Sequence, residues 1–233
     1  MSGNEVAVIL PALNEVGCVE DVVHGFIRTG VRVIVVDNGS TDGTGLVASR
    51  AGAEVVVERL RGYGRACLAG LSYLSVNCSP GVVVFADCDG TLDAQNIWDL
   101  IQPIKSGRAE LVLGRRVSVE RGALPMHQKL GNTIACFLLR VFYGVRIRDI
   151  PPYRAASWSF LSQLPLSEKS FGFPIETVAL TARRKGRLEE VEVEYHCRAA
   201  GQSKVTGSLS TALLAGLTMI TVLVSLRFRR ITV

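Results

Sequence analysis

The chain has 233 residues, of which 48% are hydrophobic and 20% charged, and it carries a formal net charge of +5. This supplies a core for one large domain or two closely fused halves and excludes a disordered chain. The positive balance favours anionic partners (phosphates, acidic lipid headgroups or nucleic acid) without choosing among them. Six cysteines are scattered with no C-x-x-C pair and no Cys/His cluster, which argues against a zinc site and a disulfide framework and for reduced thiols. Residues 1–5 are polar and the following apolar run is too short for a secretory leader, so a cytoplasmic protein is expected.

In chain order, apolar runs fall at residues 6–10, 31–36, 54–57, 82–86 and 110–113. They are rich in Val and Ile on consecutive positions, the pattern of strands covered on both faces in a mostly parallel sheet. Helix-compatible stretches at 17–29, 43–51, 64–75 and 94–106 separate them. The alternation predicts an α/β fold with right-handed crossovers, and in such sheets ligands lie beyond the carboxyl ends of the strands. The second half is less regular. Residues 126–143 and 174–185 read as helices, Pro151 and Pro152 interrupt the chain, and 188–195 alternates like a half-buried strand.

The segments following the strands hold the polar residues. Pro11-Ala12-Leu13-Asn14-Glu15 follows the first strand, and Asp37-Asn38-Gly39-Ser40-Thr41-Asp42-Gly43 the second. Asp37 is placed to accept hydrogen bonds from a base or ribose, although these residue types also make good turns and caps. The third strand leads to Gly62-Tyr63-Gly64 at the start of a helix, a setting suited to anion approach, but it is neither G-x-G-x-x-G nor a P-loop. The fourth strand ends in Asp87-Cys88-Asp89-Gly90. Residues i and i+2 of an extended segment face the same way, so two hard oxygen donors can approach one Mg²⁺ or Mn²⁺ ion. Without a cation, paired acids at a buried strand end would repel each other.

Together with Gly114-Arg115, Gly131-Asn132, Asp149, Pro152-Tyr153-Arg154-Ala155, Gly172-Phe173-Pro174-Ile175-Glu176 and Arg198-x-x-Gly201-x-Ser203-Lys204, these segments resemble the family 2 glycosyltransferases. The branch is that of dolichyl-phosphate mannosyltransferase and bacterial polyprenyl-phosphate glycosyltransferases, and the resemblance spans about residues 6–204. It implies a GT-A fold over residues 1–204, with a nucleotide-sugar half at 1–115 and an acceptor half at 116–204, and inverting transfer of a sugar. By that analogy Pro11, Asn14, Glu15 and Asp37 line the nucleoside pocket with Gly62 nearby. Asp87 contacts the nucleotide, and Asp87 with Asp89 holds the metal. Asp149 faces the acceptor, while Arg115, Arg198, Ser203 and Lys204 neutralise phosphates. The chain departs from the family pattern at Asn38, where a second Asp is common, at Thr91, and at Pro152-Tyr153.

The resemblance implies a nucleotide-sugar donor, UDP-sugar ahead of GDP-sugar, and a polyprenyl phosphate acceptor at the cytoplasmic face of a membrane. A phosphate acceptor is already an anion and needs little help from a base, whereas a hydroxyl acceptor (lipid, glycan or small metabolite) needs one. Asp149 is then the first candidate and Glu176 the second. A non-catalytic nucleotide-binding subunit is the remaining reading, disfavoured by the intact acid pair, and dispersed charge argues against nucleic acid. Homo-oligomerisation stays open. Residues 205–226 carry no charge and precede Arg227, Arg229 and Arg230. The C-terminal apolar helix expected within 205–233 fits three arrangements: lying on a membrane, spanning it, or packing on protein.

Overall fold

The computed structural model describes residues 5–118, 126–197 and 209–228. The elements are β1 (Val6–Ala12), α1 (Val19–Arg28), β2 (Arg32–Asp37), α2 (Thr44–Arg50), β3 (Glu54–Val57), α3 (Tyr63–Asn77), β4 (Val82–Phe85), α4 (Ile97–Lys105), β5 (Leu111–Ser118), α5 (Met126–Tyr143), β6 (Arg154–Ser157), α6 (Trp158–Leu161), α7 (Phe173–Arg183), β7 (Leu188–Tyr195) and α8 (Leu209–Phe228). A short 3-10 turn, Ala94–Asn96, leads into α4.

One seven-stranded sheet runs in the order β3-β2-β1-β4-β6-β5-β7. Strand β6 pairs antiparallel with β4 and β5, and the other pairings are parallel. Alternate residues of the central strands enter two different cores, as a sheet covered on both faces requires. Ile9, Ile34, Phe85 and Leu113 pack with residues of α3, α5 and α7. Val8, Val35, Val84 and Val112 pack with α1, α2 and α4. This is the α/β, mostly parallel fold that the apolar runs imply.

Strands β6 and β5 depart from the sequence pattern. Strand β6 is Arg-Ala-Ala-Ser, with no β-branched residue to signal it. Its Ala155 and Ala156 are buried in the middle of the sheet, where small side chains let helices approach both faces. Strand β5 continues to Ser118 instead of stopping at 113, because β7 pairs with it over eight residues. Helix α7 has its proline in the first turn, where the missing N–H costs no hydrogen bond.

Helix α8 packs on protein through one face, one of the three arrangements expected for the tail. Helix α8 lies against α5 and α7. The Tyr143 hydroxyl donates to the Leu223 carbonyl at 2.6 Å, and the Arg183 guanidinium donates to the Leu226 carbonyl. Among the described residues no helix is long and apolar enough to cross a membrane.

Candidate active site at the strand termini

The carboxyl ends of β1 and β2 are tied together by their own turn residues. Asn14 adopts a left-handed backbone with φ 52°, which Asn tolerates better than most residues. Its amide N–H donates to Ser40 Oγ at 3.0 Å, and its Oδ1 accepts from the Thr41 N–H at 2.8 Å. The Glu15 N–H donates to Thr44 Oγ1 at 2.9 Å, and the Val16 N–H to Asp42 Oδ2 at 3.1 Å. Pro11 sits opposite Val36 in the strand pairing. Asp37 ends β2 with Oδ1 accepting from the Ser40 N–H at 2.9 Å. A Cβ at Gly45 would stand 2.7 Å from its Oδ2, so a larger residue there would force the carboxylate to shift. Pro11, Asn14, Glu15 and Asp37 are thus brought to one edge. Asp42 and Thr44, which the sequence presents only as turn formers, hold them there.

Asn38 explains its own departure from the family pattern. It is 4% exposed, its Nδ2 donates to the Glu58 and Leu60 carbonyls at 3.0 and 2.8 Å, and its Oδ1 accepts from the Gly62 N–H at 2.7 Å. Only an amide can donate twice and accept once in this setting. The glycine loop that it anchors is filled by protein. The Gly64 and Arg65 N–H groups donate to the Ser170 and Lys169 carbonyls, each at 3.1 Å. A side chain at Gly62 or Gly64 would collide with the backbone of Lys169 or Glu168. The glycines there make room for residues 168–170.

Asp87 and Asp89 follow the end of β4 at Phe85, and the chain bends from Cys88 to Gly90. Asp89 is buried, and its Oδ1 accepts from Thr91 twice, from the N–H at 3.1 Å and from Oγ1 at 2.6 Å. The turn beyond is stitched to the end of β7: Leu92 bridges Tyr195, and the His196 N–H donates to the Thr91 carbonyl at 2.9 Å. Burial raises the pKa of the Tyr195 phenol, the nearby charges of Asp89 and Asp87 raise it further, and Arg116 opposes them. Arg116 also stacks over the Tyr195 ring, 5.5 Å from its centroid. The two acids, the phenol and this guanidinium therefore share one electrostatic neighbourhood.

Arg116 is the residue the sequence reading overlooked. Successive strand residues face opposite ways, so Arg115 and Arg116 diverge. Arg115 pairs with the exposed Glu192, whereas Arg116 turns toward Asp149. Asp149 accepts from Arg116 Nε and Nη2 at 2.9 and 2.7 Å and from the Arg116 N–H at 3.0 Å. Its carboxylate thus orients an arginine. The only sequence signal for this would have been the parity of an extended β5. The second candidate base, Glu176, is 2% exposed and receives the Ser167 N–H and hydroxyl, each at 3.1 Å, and the Glu168 N–H at 2.9 Å. It clasps the loop that fills the glycine turn. Arg198, Ser203 and Lys204 lie outside the described residues.

Strand termini that gather these polar and acidic residues at one edge define an α/β protein of the kind that binds its ligand beyond the carboxyl ends of its strands. The family model of glycosyl transferase family 2 matches residues 7–161, and the chain belongs to that family. An uncharacterised glycosyltransferase of Mycobacterium tuberculosis is 37% identical over 215 residues, covering 92% of this chain and 96% of that protein. The undecaprenyl-phosphate mannosyltransferase of Micrococcus luteus is 29% identical over 220 residues, 88% of each chain. Among solved structures, glucosyl-3-phosphoglycerate synthase of Mycobacterium tuberculosis, in complex with Mn²⁺, UDP-glucose and phosphoglyceric acid, superposes with a TM-score of 0.78 at 26% identity. That match covers 99% of this chain and 82% of the synthase.

Proposed function

We propose that this glycosyltransferase moves a sugar, with inversion, from a UDP-sugar to a polyprenyl phosphate at the cytoplasmic face of a membrane. A GDP-sugar is the second donor. The observation that carries the reading is that the turn after Asp87 and Asp89 is bridged to Tyr195, and the buried guanidinium of Arg116, held by Asp149, lies over that ring. Residues 1–115 serve the donor and 116–204 the acceptor, with Arg198, Ser203 and Lys204 as further phosphate contacts.

The donor set suits Mg²⁺ or Mn²⁺. Asp87 and Asp89 would offer hard oxygens just beyond the β4 terminus, and Thr91 fixes the rotamer of Asp89. Among the described residues no group of three or more His, Cys, Asp or Glu side chains is placed to hold a metal. The ion's remaining ligands would then come from the donor's diphosphate and water, in keeping with how Mg²⁺ is usually held. When bound, the ion supplies Lewis-acid stabilisation of the departing diphosphate.

The chain's own groups do the rest. Asp37, Asn14 and Glu15 orient the nucleoside. Arg116, locked by Asp149, presents fixed positive charge where an anionic acceptor must approach, without having to reorganise during reaction. A phosphate acceptor brings its own nucleophilic oxygen, so the engagement of Asp149 by Arg116 is no obstacle. The likeness to glucosyl-3-phosphoglycerate synthase favours a second reading, transfer to the hydroxyl of a small phosphorylated acid. It requires a base, and the geometry of Asp149 and Glu176 speaks against both as found here.

The test is a transfer assay over UDP- and GDP-sugars with Mn²⁺ or Mg²⁺, offering a polyprenyl phosphate or phosphoglycerate. Glycosyl-phosphoprenol formation is the expected result. Turnover with phosphoglycerate alone would replace the first reading by the second.

A further inference from the structure

Two helices that pack together expose apolar stripes that the enzyme's chemistry does not use. On α5, Leu130, Ile134, Phe137 and Val141 are exposed at spacings of four, three and four, which puts them on one face. The opposite face buries Ala135, Cys136 and Leu139. On α8, Ile220, Val224 and Phe228 are exposed at spacings of four, while Val222, Leu223 and Leu226 are buried. Phe137 is 62% exposed and Phe228 83%, values that isolated surface apolar residues do not explain when they fall in register.

The charges carried by the two helices and the turn after α5 all have one sign. Residues 126–148 and 209–228 contain no Asp or Glu. Arg140 and Arg227 flank the stripes on the two helices, and Arg146 and Arg148 follow α5; all four are exposed. The same helix is tied to the site: the Ile150 N–H donates to Asn132 Oδ1 at 3.0 Å, and Asn132 Nδ2 donates to the Arg148 carbonyl at 3.2 Å, on either side of Asp149.

We infer that the outer face of α5 and α8 is the surface by which this protein docks on an anionic lipid bilayer, its apolar stripes entering the headgroup region and its arginines meeting acidic headgroups. This deepens the proposed function and rests on it only for the lipid nature of the acceptor. Apolar stripes on helices whose own charges are all cationic match such a surface. A second copy docking by the same face would oppose arginine to arginine, and neither helix carries an acid to neutralise them. Contact through α5 also sets Asp149 and Arg116 beside the bilayer.

The experiment uses the full chain and vesicles of phosphatidylcholine, pure or mixed with phosphatidylglycerol. Sedimentation with the mixed vesicles, weakened by salt, is expected. Phe137→Asp and Phe228→Asp should each lower the partition by about tenfold or more, and Arg140→Glu with Arg227→Glu should abolish the preference for anionic lipid. The same variants should keep wild-type melting temperature and wild-type transfer to a short-chain, water-soluble prenyl phosphate. Failure of the wild type to sediment, or unchanged partition of both Phe variants, would overturn the inference while leaving transfer to the short acceptor to stand. A dimer in analytical ultracentrifugation that Phe137→Asp dissociates would also overturn it, in favour of self-association. Vesicle binding through the stripes with no transfer to any prenyl phosphate would uphold the surface and remove the proposed acceptor.

Discussion

Arg116 and Asp149 form a two-pronged ion pair with side chains only 9% and 8% exposed, and a third bond from the Arg116 N–H fixes the carboxylate from the strand itself. The pair joins β5 to the segment after α5. The Arg148 and Asp149 N–H groups both donate to Glu190 Oε1, at 2.9 and 3.1 Å, so β7 belongs to the same frame. Burial disfavours the charged guanidinium, while the bonds and charge of Asp149 more than offset this and raise its pKa. The arginine is cationic at every working pH and is aimed by its partner.

Removing one member of such a pair leaves a buried charge uncompensated. Asp149→Ala and Arg116→Met are each expected to destabilise the protein by about 3–5 kcal/mol, and the double variant that combines these two substitutions by clearly less than their sum. Urea unfolding of the four proteins completes the cycle; additive losses would show that the pair is not coupled. In the transfer assay Arg116→Lys should lose activity despite keeping the charge, because one ammonium cannot reproduce the fork.

Asp89→Asn is expected to fold normally and to lose transfer. The amide keeps the size of the side chain and can still accept from Thr91, but it forfeits the charge that a divalent ion requires. Circular dichroism and Mn²⁺ titration check the two halves of this statement separately. Wild-type turnover in the variant, or full activity after exhaustive chelation, would remove the metal from the reading.

Much of the donor side was legible because its determinants are local. Strands β1, β2, β3 and β4 announce themselves as consecutive apolar runs, and the polar residues that end them follow directly in the chain. The acceptor side depends on pairings that no local pattern records. Strand β6 is visible only once β4 and β5 close on Arg154–Ser157. Whether Arg115 or Arg116 faces the acids turns on β5 running on to Ser118 alongside β7. Glu176 looks like a helix N-terminal acid with a role in catalysis until Ser167 and Glu168 fold back onto it. Asn132 likewise gains its role only from contacts with residues 148 and 150, far along the chain.

Glu176 gives a prediction about pH. Burial raises its pKa above the ordinary value, against the hydrogen bonds from Glu168 and Ser167 that favour the carboxylate. The native carboxyl therefore holds its proton to higher pH than the unfolded chain does. Its stabilising contribution is complete below the unfolded pKa and is lost as pH rises through the folded one. Glu54 has the reverse sign: the Arg32 hydrogen bond lowers its pKa, so its contribution is lost as pH falls. In urea titrations, Glu176→Gln should flatten the loss just above the usual carboxylate range and leave the acid limb, where Glu54 acts, unchanged. An unaltered slope would mean that Glu176 does not titrate in that window.

Asn38→Asp restores the residue more common in the family and should nevertheless harm this protein. The amide nitrogen donates to two carbonyl oxygens, and an ionised carboxylate there would face both with lone pairs. Only the bond from the Gly62 N–H survives the exchange. Leaving buried polar groups unmatched costs about 1–3 kcal/mol, more when one is charged. The loss should shrink at acidic pH, where the new side chain is protonated and can donate once. Because Asn38 anchors the glycine loop, the destabilised variant should also be cut by protease near residues 58–62 at lower enzyme doses than the wild type. Equal stability of the two proteins at neutral pH, measured by urea unfolding, would show that this loop tolerates the acid and that the amide is not what fixes it.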